Sequence, residues 1–277
     1  MINLIRAEIL KSIKNVPVTF FLIGAIPVVA FAMLNVIGIT TALGLIRNAF
    51  IAINGQEQVI LAFLFANQLI AQILFIILSA ISFGGEYNWK TWKNILPRHQ
   101  RSQIIISKFI VIILGILIAI QATGLMTYIG AWEYALVTGI PFNNGAWGDG
   151  IIPFWTQYIV MTFCLLATYL LGAIYASIAS IRFQSISAGI VIGVTVAFAD
   201  TIAQATFNLL SRLLTIESIA DIASFLPQYN IQNILSWITT GAPVYRWNLF
   251  MSSSLVLIWI GAGVGLAVYL FRIQDIE

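Results

Sequence analysis

Residues of a type that does chemistry are few in this chain, and they fall in two places. The first is an acid inside an apolar run. Asp200, Gln204 and Asn208 follow one another at four-residue intervals, which sets three polar side chains in a row on one helix face. An ionisable side chain in hydrocarbon marks a functional position by default. The polar residues are few, which is compatible with an amphiphile, a peptide antibiotic or an ion as substrate. Asp200 lies roughly 22 Å along its helix, so it is equally placed to hydrogen-bond a neighbouring helix or to reach the outer interface. Gln68 and Gln72, in another apolar run, are its candidate partners. Together Gln68, Gln72, Asp200 and Gln204 are the candidate lining of a substrate pathway.

The second place is the stretch Glu86–Lys108, EYNWKTWKNILPRHQRSQIIISK, between two long apolar runs. It holds five of the thirteen Lys and Arg residues and the sole His. Residues Glu86 to Leu96 are expected to form a short helix at the membrane surface, with Trp89, Trp92 and Lys93 on or beside one face. Pro97 then stops or redirects it. Trp and Arg are over-represented among interface hot spots, so the chemistry expected here is docking. A basic, Trp-anchored loop lying on anionic lipid has the same composition.

Catalytic constellations are absent from the sequence. It contains no GxxxxGK[ST] phosphate loop, no GxSxG and no HExxH. His99 and Cys164 are the only residues of their types, which leaves no zinc ligand set and no intrachain disulfide. No nucleophile, base and orienting group converge.

The elements that must position these residues are membrane spans. The chain is 277 residues long, 60% hydrophobic and 8% charged, against about 25% charged in soluble domains. A spanning helix needs about 20 apolar residues. Stretches Val16–Ile39, Gln58–Phe83, Ile104–Tyr128, Phe154–Ile181, Ser185–Leu210 and Leu249–Phe271 qualify, the second closed by Gly84 and Gly85. Residues 1–15 read as an interfacial helix with Ile2, Ile5, Ile9 and Ile13 on one face, and no cleaved signal peptide is expected. Arg6, Lys11, Lys14, Lys90, Lys93, Arg98, Arg101, Lys108, Arg182 and Arg272 map to one side, and only Arg47, Arg212 and Arg246 to the other. The positive-inside rule places the larger group, and both termini, in the cytoplasm of a cell-membrane protein. On the outer side, residues 131–153 read as an ordered loop with aromatic anchors, and 211–247 as two short helices in or on the outer leaflet. Ser185, Gly189, Gly193, Ala197, Thr201 and Ala205 form a small-residue stripe, and Gly261, Gly263 and Gly265 are packing positions in the last span. Six spans do not easily wall a wide pathway alone, so a dimer is expected, with the route at or near its interface. The expectation is one all-α transmembrane domain over 1–277, with a coupling helix at 86–97.

The run Glu86-Tyr87, Thr91-Trp92-Lys93-Asn94-Ile95-Leu96, Arg98 or Arg101, and Lys108 resembles the permease subunits of type-2 ABC exporters, nearest the bacitracin- and lantibiotic-resistance permeases. Lys90 stands where that family usually has Gly before Thr91. The segment Leu226-Pro227-Gln228-Tyr229-Asn230 is similar to the family's outer region before the last span. The resemblance implies two permease copies, identical or not, each bound to a separate cytoplasmic ABC ATPase that holds ATP and Mg. No cofactor is then expected in this chain, nor any nucleic-acid partner. It further implies that Glu86 and Thr91 shape the coupling loop, that Trp92, Asn94, Ile95 and Leu96 fill a groove of the ATPase, and that Arg98 and Arg101 pair with its acids. The alternative is an ion-coupled secondary transporter with Asp200 as its carrier carboxylate. Such carriers often show internal repeats, and none relates the two halves of this chain.

Overall fold

The computed structural model describes residues 1–46, 51–92, 97, 99–143, 152–216, 218–241 and 247–274. Its helices are α1 Ile2–Lys14, α2 Val16–Ala42, α3 Gly55–Ala66, α4 Leu69–Asn88, α5 Arg101–Thr138, α6 Phe154–Phe183, α7 Ile186–Leu214, α8 Ser218–Ala223, α9 Pro227–Thr240 and α10 Leu249–Ile273. Two strands, β1 Ile53–Asn54 and β2 Phe142–Asn143, pair in parallel. Six helices, α2, α4, α5, α6, α7 and α10, are long and apolar enough to cross a membrane. The chain is an all-α, multi-pass membrane protein.

Local chemistry sets the helix ends. Asn54, Ser185 and Asn248 accept backbone N–H bonds at the starts of α3, α7 and α10. Gly139 and Gly241 close α5 and α9 in left-handed conformations that glycine adopts at no steric cost.

The central element is α6, packed against α4, α5, α7, α9 and α10. Toward α4 the contact is partly polar. Gln72 Nε2 donates to the Thr168 carbonyl at 2.8 Å, Ser79 Oγ to that of Ala173 at 2.7 Å, and Phe75 stacks on Tyr169 with centroids 4.6 Å apart. Small residues bring α7 close to both helices. A Cβ on Gly193 would lie 3.0 Å from Ile76 and 3.1 Å from Ala176, and Ala197 is buried. Along Gly189, Gly193 and Ala197, the small-residue stripe is therefore used inside the chain, and it is no dimer seam there. On α10, Gly263 meets Ile174, whereas Gly261 and Gly265 face open space.

Three sequence expectations are corrected. The second span is not continuous: α3 ends at Ala66 and α4 begins at Leu69. The freed groups find partners on α6, with Tyr169 Oη donating to the Ala66 carbonyl at 2.6 Å and Thr168 Oγ1 to Asn67 Oδ1 at 2.8 Å. Gly84 and Gly85 do not close the span. The helix runs through them to Asn88, and a Cβ on Gly84 would lie 2.8 Å from the backbone of Ile186. The third span does not stop at Tyr128. Its 38 residues extend about 57 Å, well past a hydrocarbon core of about 30 Å, so residues 131–138 are helix rather than loop.

Between the last two spans, α8 and α9 are two short helices, and α9 is firmly held. Ile231, Ile234, Leu235 and Ile238 enter the main core, while Asn233 Nδ2 donates to the Trp247 carbonyl and to Ser252 Oγ. At the other end of the molecule, Tyr87 Oη donates to Gln274 Oε1 at 2.6 Å, and Gln274 Nε2 to the Ile181 carbonyl at 3.0 Å. Gln274 and the N-terminal helix thus meet the same end of α4.

Candidate functional site

The polar stretch after α4 grows out of an ion cluster. α4 closes with Lys90 in the left-handed region at φ 52°, the Thr91 N–H returning to the Glu86 carbonyl at 3.0 Å and the Lys90 N–H to that of Tyr87 at 3.1 Å. This is the paired-bond helix stop that normally carries Gly at the left-handed position. It accounts for the Gly usual at this place in the resembled permeases, and here Lys90 takes the same left-handed conformation.

The same turn aims Glu86 inward. Its carboxylate is fully buried and receives the Lys11 ammonium, the Thr91 hydroxyl and, at 2.9 Å, the Lys108 ammonium. Lys108, itself 1% exposed, also donates to Glu8 Oε2 at 3.1 Å and to the Ser82 carbonyl at 3.0 Å. Two acids and two ammoniums therefore neutralise one another where α1, α4 and α5 meet. Buried charges persist only when paired and hydrogen-bonded. On α1 the residues that turn inward are Leu4, Glu8 and Lys11, spaced four and three, while Ile2 and Ile13 are exposed.

Trp92 does not face outward as expected. It is 2% exposed, 4.6 Å from the Phe271 ring and 5.4 Å from that of Tyr87, with the Lys108 ammonium 5.7 Å from its ring. An indole is more stable wedged among aromatics and a cation than left in water. Arg101 is likewise turned within the chain. Its Nη1 donates to the carbonyls of Phe271, Arg272 and Gln274 at 3.3, 3.0 and 2.6 Å, satisfying the end of α10. Trp89 and Lys90 are exposed. Asn94, Ile95, Leu96 and Arg98 lie outside the described residues. The cluster ties the segment after α4 to α1, α5 and α10, and its acids and bases are occupied by one another.

Midway along α7, Asp200 and Gln204 stand one turn apart on the same side. They line a cavity of about 220 Å³ with Thr201 and with Gln228, Tyr229 and Gln232 of α9. Tyr175 Oη of α6 donates to Asp200 Oδ2 at 3.3 Å. Gln68 and Gln72 are not partners of Asp200. Gln68 bonds the Leu64 carbonyl at its own helix start, and Gln72 is spent on Thr168 between α4 and α6. The sequence places Gln228 and Tyr229 in the outer region and not in the pathway, although Gln228 and Gln232 stand one helical turn apart in PQYNIQN. That interval was the available signal.

The family described as ABC-2 family transporter protein matches residues 4–200, well over half of the 277 residues. The chain belongs to the ABC-2 transporter family. No curated protein matches it. An ABC-2 transporter chain of this kind is the membrane channel component, not itself catalytic, and the family associates with an ABC ATPase partner. Within this ABC-2 chain the family match takes in the whole ion cluster up to Lys108 and ends at Asp200, so the α9 wall of the cavity lies beyond it.

Proposed function

We propose that the chain is the permease subunit of an ATP-driven exporter, working as a pair of permeases on two cytoplasmic ATPase subunits. The observation that carries this is the ion knot of Glu86, Lys108, Lys11 and Glu8 at the root of the segment after α4, in which Glu86 and Lys108 are fully buried. A docking element must hand its displacement to the spans. A segment anchored through paired buried charges to three helices is stiff enough to do so.

In this reading the end that carries the knot is cytoplasmic, and so are both termini. Residues 86–97 couple to the ATPase, with Asn94, Ile95, Leu96 and Arg98 as its contacts and Trp89 and Lys90 beside them. Glu86, Thr91 and Lys108 hold the root. Trp92 and Arg101 pass the motion to α10, whose end they touch. ATP, with Mg, is bound and hydrolysed in the partner, and closure of the two ATPases drives substrate outward. The subfamily reading, a bacitracin- or lantibiotic-resistance permease, rests on the residue pattern from Glu86 to Lys108.

Co-purification with a co-expressed ABC ATPase, followed by a vanadate-sensitive ATPase assay, tests this. Leu96→Glu places a charge in the contact and is expected to reduce recovery of the partner by about tenfold or more, as loss of an interface hot spot does. Unchanged recovery and unchanged ATPase activity would remove the coupling role.

A further inference from the structure

We infer that the cavity between α7 and α9 binds a protonated primary amine, which gives the transported substrate an ammonium group. Four observations converge. Asp200 Oδ1 is enclosed and makes no hydrogen bond of ordinary geometry among the described residues, and the donors beside the carboxylate are neutral ones, Tyr175 Oη at 3.3 Å from Oδ2 and the backbone N–H of Gln228. No cation pairs with Asp200 among the described residues. A carboxylate withdrawn from water without a counter-charge is costly, and a bound cation removes that cost.

The lining then selects the kind of cation. Gln204, Gln228, Gln232, Thr201 and Tyr229 line the same cavity as Asp200, and their amide oxygens and hydroxyls are neutral groups. These are acceptors for several N–H donors. A quaternary ammonium has none to give and is recognised by aromatic cages, whereas Tyr229 is the sole aromatic residue in this lining. A metal ion fits poorly as well. Among the described residues no three His, Cys, Asp or Glu side chains group together, and one carboxylate leaves a divalent ion half neutralised. The cavity, about 220 Å³, has room for an ammonium and several carbons of the chain that bears it.

This assigns a substrate class to the exporter reading above and rests on it for the direction of transport. Binding itself is measured on the full-length chain in lipid nanodiscs, without nucleotide or ATPase. Cadaverine is the probe, with 1,5-pentanediol, hexamethonium and calcium as comparators and the unfolding midpoint as the readout. Cadaverine is expected to raise the midpoint saturably and the comparators are not. Asp200→Asn, which keeps the shape and removes the charge, is expected to weaken half-saturation by about tenfold or more, the loss typical of a charge-assisted hydrogen bond. Gln204→Leu with Gln232→Leu leaves the carboxylate in place and is expected to weaken it severalfold, which keeps the test open if Asp200→Asn does not fold. An equal response to pentanediol, hexamethonium or calcium overturns the assignment, as does no response to cadaverine or undiminished binding in the variants. Failure here with intact ATPase coupling removes the amine site alone. An amine response in a chain that recruits no ATPase removes the exporter reading alone.

Discussion

Lys90 holds a backbone conformation that suits glycine, and the cost is local. Its left-handed φ of 52° stops α4 and turns Glu86 inward. Lys90→Gly is expected to stabilise the chain by about 1 kcal/mol, because an L side chain is disfavoured in that region by about that much. A thermal unfolding midpoint in detergent reads the gain. The Glu86–Lys108 pair responds in the opposite direction. Lys108→Met leaves the buried carboxylate with one ammonium fewer, and breaking one side of a buried pair costs about 3–5 kcal/mol. The double variant Glu86→Gln, Lys108→Met is expected to lose less than the sum of the single losses, since both partners go together. A double-mutant cycle on unfolding measures that difference. The types and order of these residues were readable in the chain, including the Lys where Gly is usual. That Lys11 and Glu8 complete the cluster was not, because residues 75 to 100 positions apart meet only through tertiary packing.

At the scale of elements, apolar length was enough to mark the six described helices that are long and apolar enough to cross. Hydrophobic content reports how much backbone must be hidden from lipid, and only helices do that locally. Where a helix breaks is a different matter. The gap at Asn67 and Gln68 contains neither Pro nor Gly, and it is stabilised from outside by Tyr169 and Thr168 of α6. Thr168→Val removes the bond to Asn67, and the expected loss is about 1 kcal/mol, more if the buried amide is left wholly unpaired. Glycine gave the converse ambiguity, since a small residue serves equally as a helix stop, as a close contact or as neither. Gly193→Leu pushes α7 off Ile76 and Ala176 and is expected to cost about 1–3 kcal/mol or more, the range for overpacking. Gly265→Leu, where a side chain meets open space, is expected to be tolerated. Comparing the two unfolding midpoints separates internal packing from lipid-facing positions.

For the whole molecule, the ion cluster stands at the end of α4 and the cavity at the middle of α7, and α6 packs against both helices. The ion cluster fastens the segment after α4 to α1, α5 and α10. The cavity is built on α7 and α9, both of which pack on α6. A displacement entering at the first centre therefore has a continuous packed route toward the second. Charge reversal at Leu96 and charge removal at Asp200 are expected to give separable defects: loss of partner recovery in the first, and loss of amine response with the partner still bound in the second. Equal loss of both properties in either variant would contradict the division of labour.

The chain by itself determined the membrane setting, the six stretches long and apolar enough to cross, and the absence of a nucleotide loop, because composition and local order carry that information. Tertiary structure alone decided what individual residues face. It turned Trp92 and Arg101 inward, spent the stripe from Gly189 to Ala197 on α4 and α6, separated Gln68 and Gln72 from Asp200, and brought Gln228 and Gln232 to it from a helix not counted as part of the pathway. The reason is physical. A side chain's type sets what it can bond with, but which partner lies within about 3 Å is settled by helices packed side by side from distant parts of the chain.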